Sequence, residues 1–172
     1  MLNVLHEVER RLGELLADEG AWRSKRIDYT PPVVDRLYRD WSHEGVNYRV
    51  YLHRIYPCEK AFYHPHPWPS AIRVLPTPGA VYEMAVGGGD DYFAVEPLVA
   101  ALIRVSGGME YEMVERIGYH SVRIIGEPSV SVMVTGPVWD PGAPRTDSFN
   151  FRELDVDERE AILAPIRTQY SL

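Results

Sequence analysis

The chain reads as an all-β barrel or jelly roll with helices confined to its two ends. Three observations predict this. Between Asn47 and Thr135 a series of short runs rich in β-branched and aromatic residues follow one another. Turn clusters divide them at near-regular spacing: Pro76-Thr77-Pro78-Gly79, Gly87-Gly88-Gly89-Asp90-Asp91, Ser106-Gly107-Gly108 and Gly126-Glu127-Pro128. Helical periodicity appears only outside that stretch. Short strands in sequence with helices outside them make a closed antiparallel architecture. The 172 residues, 45% apolar and 25% charged, suit a single core. The expected division is a helical segment over 1–45, a β-barrel core over 46–139, and a loop and helix over 140–172.

Taken in order, Met1, Leu5, Val8, Leu12, Leu15 and Leu16 recur at three- and four-residue steps, which predicts an amphipathic helix ended by Gly20. Thr30 followed by Pro31 resembles an N-cap and first helical position, with Val33, Val34, Leu37, Tyr38 and Trp41 as a buried stripe of a second helix. The expected strands are Asn47–Tyr56, Ser70–Leu75, Val81–Val86, Val99–Val105, Tyr111–Val114, Ser121–Ile125 and Ser129–Thr135. Asp147–Phe151 reads as a loop. Asp155 and Glu158 form a capping-box pattern before Ala161, Ile162 and Leu163, and Pro165 is expected to stop that helix.

Composition excludes several classes of function. A formal charge of −7 and a pI near 5.4 argue against a general nucleic-acid binder. No apolar run is long enough to cross a membrane. Glu7, Glu9 and Arg10 in the first turns do not fit a secretory signal. The single cysteine, Cys58, rules out an internal disulfide and fits a reducing cytoplasm, where it reads as a small buried residue.

Chemistry concentrates in the histidines. His64, His66 and Trp68 each precede a proline in Tyr63-His64-Pro65-His66-Pro67-Trp68-Pro69, which disfavours helix and enforces extension. In an extended chain, residues two apart share a face. Their Cβ atoms then lie about 7 Å apart at a rise of ~3.3 Å per residue, so both imidazoles can reach one ion. His120, far along the chain in Gly118-Tyr119-His120, would complete a three-histidine face. Pro65, Pro67 and Pro69 lack amide hydrogens, so this stretch belongs at a sheet margin or barrel mouth.

With His64-x-His66 followed by Gly79, and Gly108 leading a hairpin to His120, the stretch Asn47–Trp139 resembles the cupin superfamily. The cupin double-stranded β-helix is the fold this implies. The glutamate ligand of the family motif falls here on Ser70 or Ala71. A narrower resemblance is to the cysteine dioxygenase branch. It rests on Arg73-Val74-Leu75 before Gly79, on His120-Ser121-Val122-Arg123, and on the strand from Pro128 that ends in Gly136-Pro137. The branch implies one divalent ion, Fe(II) in preference to Zn, Mn or Ni, held by His64, His66 and His120, with open positions for substrate and O2. The branch's Ser-x-His-x-Tyr relay falls on Ser131, Met133 and Thr135, so its imidazole and phenol are missing. The positions of its cysteine–tyrosine link hold Ala71 and Thr135.

The expected function is a mononuclear metal enzyme of dioxygenase type acting on a small organic molecule. The alternatives are a non-oxidative isomerase or lyase on the same site and a non-catalytic small-ligand binder. The expected partner is a small-molecule substrate, with O2 and a second copy of the chain as candidates. Candidate substrate contacts are Arg73, which suits a carboxylate, together with Arg49, Ser131, Met133 and Trp68. By alternation Arg49, Tyr51 and His53 share a face, either a polar cavity wall or the wet outside of the barrel, the second being the commoner arrangement. Glu83 and Glu112 are candidates for orienting the imidazoles, and Tyr63, Trp68 and Trp139 for lining an apolar pocket.

Overall fold

Two strands buried on both faces organise the molecule: β3 (Val46–Ile55) and β10 (Ser129–Thr135). On one face of β10, Val130, Val132 and Val134 join Val50 and Leu52 in a core under helices. On the other, Met133 joins Tyr51 and Ile55 in a second core. A computed structural model describes residues 1–88, 98–116, 118–139 and 151–172. The expected turn at Gly87–Asp91 and loop at Asp147–Phe151 fall partly outside these residues.

Strands β1 (Arg23–Ile27), β2 (Val34–His43), β5 (Ser70–Val74) and β8 (Glu110–Met113) complete a six-stranded sheet in the order β1-β2-β3-β10-β5-β8. Strands β4 (His64–Pro65), β6 (Ala80–Gly88), β7 (Leu98–Val105) and β9 (Gly118–Gly126) form a second sheet in the order β4-β9-β6-β7. Every pairing is antiparallel. The four-strand sets 3-10-5-8 and 4-9-6-7 face each other and exchange the chain repeatedly, which is a jelly roll. The all-β expectation therefore holds.

Helices α1 (Leu2–Arg10), α2 (Leu12–Ala17) and α3 (Val156–Tyr170) lie on the outer face of the larger sheet. Leu5, Val8, Leu12, Ile162 and Ile166 are fully buried against it. The layers are thus helices, six-stranded sheet, barrel interior and four-stranded sheet.

Three expectations need correction. The segment led by Thr30 holds strand β2 instead of a helix. Leu37 and Trp41 of β2 turn to the helix-side core, whereas Val34 and Tyr38 turn to the barrel core. A strand that is apolar on both faces places side chains at spacings that imitate a helix. Pro165 does not end α3, which runs on to Tyr170. Ile162 and Ile166, on either side of it, are both fully buried, and their packing outweighs the hydrogen bond that proline removes. The first helix breaks at Arg11 into α1 and α2.

Candidate metal centre and ligand cavity

His64 and His120 are direct cross-strand partners on β4 and β9, and His66 follows two residues on. The β4 strand is two residues long and stands at the margin of its sheet. Three prolines without amide hydrogens explain why this ladder stops so soon. The Nε2 of His120 lies 2.9 Å from Nε2 of His66 and 3.2 Å from Nε2 of His64.

This spacing is a test of fit for a cation. The Nδ1 of His64 sits 3.2 Å from the carbonyl oxygen of Phe62, which only accepts, so Nδ1 carries the proton and Nε2 a lone pair. Three convergent nitrogens cannot satisfy one another with hydrogen bonds alone. Ligands about 2.0–2.1 Å from one ion lie roughly 3 Å apart, so the observed spacing suits a shared metal. Burial pushes the pKa of His66 and His120 well below the usual value and lowers that of His64, which keeps all three neutral. Among the described residues no carboxylate belongs to this cluster. The group His6, Glu9 and Glu110 also brings potential ligands together, but Arg73 already neutralises both of its carboxylates.

The barrel interior around the triad holds most of the unsatisfied polar atoms. Among the described residues, buried side-chain atoms without a partner are Arg36 Nε, Arg39 Nε, His53 Nε2, Trp68 Nε1, Ser70 Oγ, His120 Nδ1 and Ser131 Oγ. Arg36, His53, Ser70, His120 and Ser131 share strand faces with Val34, Tyr51, Ile72, Val122 and Met133 of the barrel core. The Trp68 ring centre lies 5.8 Å from that of His66. Native proteins pair the great majority of buried polar groups, so this concentration gives the barrel interior beside the triad a polar lining with hydrogen-bonding capacity to spare.

Arg36 is the residue the sequence did not reveal. It was hidden in the segment read as a helix, although its two-residue spacing from Val34 and Tyr38 would have placed it on an inward face of a strand. Its guanidinium lies 4.9 Å over the ring of Tyr51 and forms no ion pair among the described residues. His53 is its cross-strand partner. Burial lowers the pKa of His53, His64 and His66, and the positive charge of Arg36 adds to the effect, which puts the guanidinium within electrostatic reach of the triad. Deeper in the barrel Tyr82 and Tyr111 share a 2.7 Å hydrogen bond, and burial pushes Tyr111 up to about 12.

The other candidates divide. Ser131 and Met133 lie on the inward face of β10, and the Trp68 ring stands beside that of His66. Arg49 shares the inward face but is held at the rim by Asp40, with Nε donating over 2.6 Å. Arg73 faces the helices instead. It binds Glu9 through Nε and Nη2, at 2.5 and 3.0 Å, and Glu110 at 2.6 Å. Alternation explains this, because Ile72 and Val74 take the inward positions of β5. The face of Arg49, Tyr51 and His53 is the barrel interior and not its wet outside. Glu83 is bound by Arg123, and Glu112 takes the terminal amine of Met1 at 2.9 Å; neither touches an imidazole.

No protein-family model matches the sequence, and no curated protein matches it. The chain is similar to solved structures at low identity. KdgF from Halomonas sp. is 13% identical with a TM-score of 0.45, over 72% of this chain and 92% of that one. An RmlC-like cupin from Shewanella frigidimarina is 9% identical with a TM-score of 0.45, over 68% and 86%. The DMSP lyase DddQ from Ruegeria pomeroyi is 13% identical with a TM-score of 0.43, and the match covers 62% of this chain and 48%, about half, of that one.

Proposed function

We propose that this chain is a metal-dependent enzyme of cupin type that acts on a small organic acid inside the barrel, by dioxygenase chemistry at ferrous iron. The observation that carries the reading is the convergence of three neutral Nε2 atoms, with no carboxylate among them in the described residues. Neutral ligands leave a divalent ion its full charge, and a three-ligand set leaves positions open for substrate and O2. When bound, ferrous iron would supply redox chemistry there, whereas zinc, manganese or nickel would supply Lewis acidity. The Arg36 guanidinium, which has no ion pair among the described residues, fits a carboxylate through two parallel hydrogen bonds. Trp68, Tyr51 and Met133 wall the cavity, which limits water near the reacting end of the substrate.

A second reading, isomerisation or elimination without O2, is favoured by Met133, whose thioether offers no proton to an oxygen intermediate. Both readings share the same first experiment. Protein made without a polyhistidine tag should carry close to one divalent ion per chain, and His66→Ala should lose it. Equal metal content in the two proteins would sink both readings. Ferrous protein should then be given a panel of small carboxylic acids while O2 uptake is followed. Consumption of an acid without O2 uptake would assign the site to the second reading.

A further inference from the structure

Beside Arg36 the six-stranded sheet carries a second recognition element. In one row across β2, β3 and β10, Arg36 pairs in register with His53, and His53 pairs with Ser131. Cross-strand neighbours on one face have Cβ atoms about 4.5–5.5 Å apart, so the three side chains stand abreast. His53 is 5% exposed and Ser131 1% exposed. No hydrogen bond joins them, and neither His53 Nε2 nor Ser131 Oγ has a partner among the described residues. An imidazole offers one donor and one acceptor, and a hydroxyl offers both. Leaving such groups unpaired in a dry interior is costly, so the row suits an occupant that carries an oxygen at this point.

We propose that His53 and Ser131 form an oxygen-recognition subsite beside Arg36, so that the acid taken by this barrel carries a hydroxyl or oxo group close to its carboxylate. The inference rests on the reading of the cavity as an acid-binding metal site and narrows its substrate class. Arg36 takes the carboxylate. His53, standing between Arg36 and Ser131, shares the second oxygen with the serine hydroxyl. A plain alkanoic acid would leave both groups unpaired and bind less well for that reason.

Metal-free protein isolates this effect, because hydroxy and oxo acids also chelate metals. Binding of propionate would be compared with that of its 2-hydroxy, 3-hydroxy and 2-oxo derivatives by calorimetry or ligand-observed NMR. The expected result is a preference of on the order of tenfold for at least one oxygenated acid, as one hydrogen bond to a buried group implies. Ser131→Ala and His53→Leu should each bring that preference close to unity, and a preference that persists in both variants would overturn the assignment of the subsite to these residues. Equal affinities across the series in the wild-type protein would overturn the proposal without any variant. Propionate binding that Arg36→Met abolishes, with no preference for the oxygenated acids, would remove this subsite and keep the acid-binding site. Binding of none of the acids would remove both.

Discussion

At Arg36 the fold carries a charge into a barrel where no carboxylate among the described residues meets it. A buried, unpaired ion lowers stability, and an apolar side chain of similar size is often neutral or stabilising in its place. Arg36→Met is therefore expected to leave the melting temperature unchanged or raise it, while affinity for small carboxylic acids falls at least about tenfold. A purely structural arginine would show the opposite: a lower melting temperature with unchanged acid binding. Met133 and Thr135 carry a second prediction. Both lie on the inward face of β10 beside Ser131. A thioether cannot relay a proton, and threonine lacks the reach and acidity of a phenol. Loss of a proton-transfer group costs about 10²–10⁴-fold in rate, so iron-loaded protein should turn free cysteine over to its sulfinate far more slowly than a thiol dioxygenase does. O2 uptake at a comparable rate would refute this. The three histidines were legible because prolines dictate the geometry of the first pair. Arg36 was not, because nothing local marks an arginine as inward-facing until its strand is known.

Among the elements, the far end of the barrel is fixed by backbone contact. Gly126 ends β9 with φ +82° opposite Gly79, whose φ is +81°. A Cβ at Gly126 would overlap the carbonyl oxygen of Gly79. The left-handed conformation alone costs roughly 1–2 kcal/mol for other residues. Gly126→Ala should thus destabilise the protein by more than that, about 2–4 kcal/mol by denaturant titration. At the other terminus, α3 starts with a closed capping box. The Asp155 carboxylate accepts from the Glu158 amide at 2.9 Å, and Glu158 accepts from the Asp155 amide at 3.0 Å. Arg152 also grips Glu158 at 2.7 and 2.8 Å, and together these hold its carboxyl at about 2 in place of 4.5. Because the folded-state value is the lower one, this contribution is complete above pH 4.5 and is lost as pH falls through 2. Glu158→Gln should therefore melt earlier than wild type at neutral pH, and the difference should close as the pH approaches 2. A constant difference across that range would show that the carboxylate charge is not what matters. That capping box was readable from Asp155-x-x-Glu158 alone. Strand β2 was not, since its apolar residues serve two cores at once, and β1 was missed because Arg23, Lys25 and Arg26 leave its short run with little apolar signal.

For the molecule as a whole, the proposed metal would tie together parts that the polypeptide holds only weakly. Strand β4 is paired through two residues, and the prolines around it deny further ladder bonds. Backbone bonds from Trp139 to Pro67 and from Gly136 to Pro69, each 2.9 Å, are its other described anchors to the end of the barrel strands. An ion shared by His64, His66 and His120 would therefore staple the barrel mouth, adding to stability by mass action since the unfolded chain has no preformed site. At free metal a hundredfold above its Kd the gain is about 2.7 kcal/mol, which for a chain of this length is a rise of roughly 5–10 °C. Chelation should lower the melting temperature by that order, and adding metal back should restore it in a concentration-dependent way. Amide exchange should quicken on chelation around His64–Trp68 and His120, while Val50, Leu52 and Val132 under the helices stay protected. His66→Ala should melt like the chelated protein and ignore added metal. Identical melting of loaded and chelated wild type, with exchange unchanged at the mouth, would mean that the three imidazoles converge for some purpose other than holding an ion.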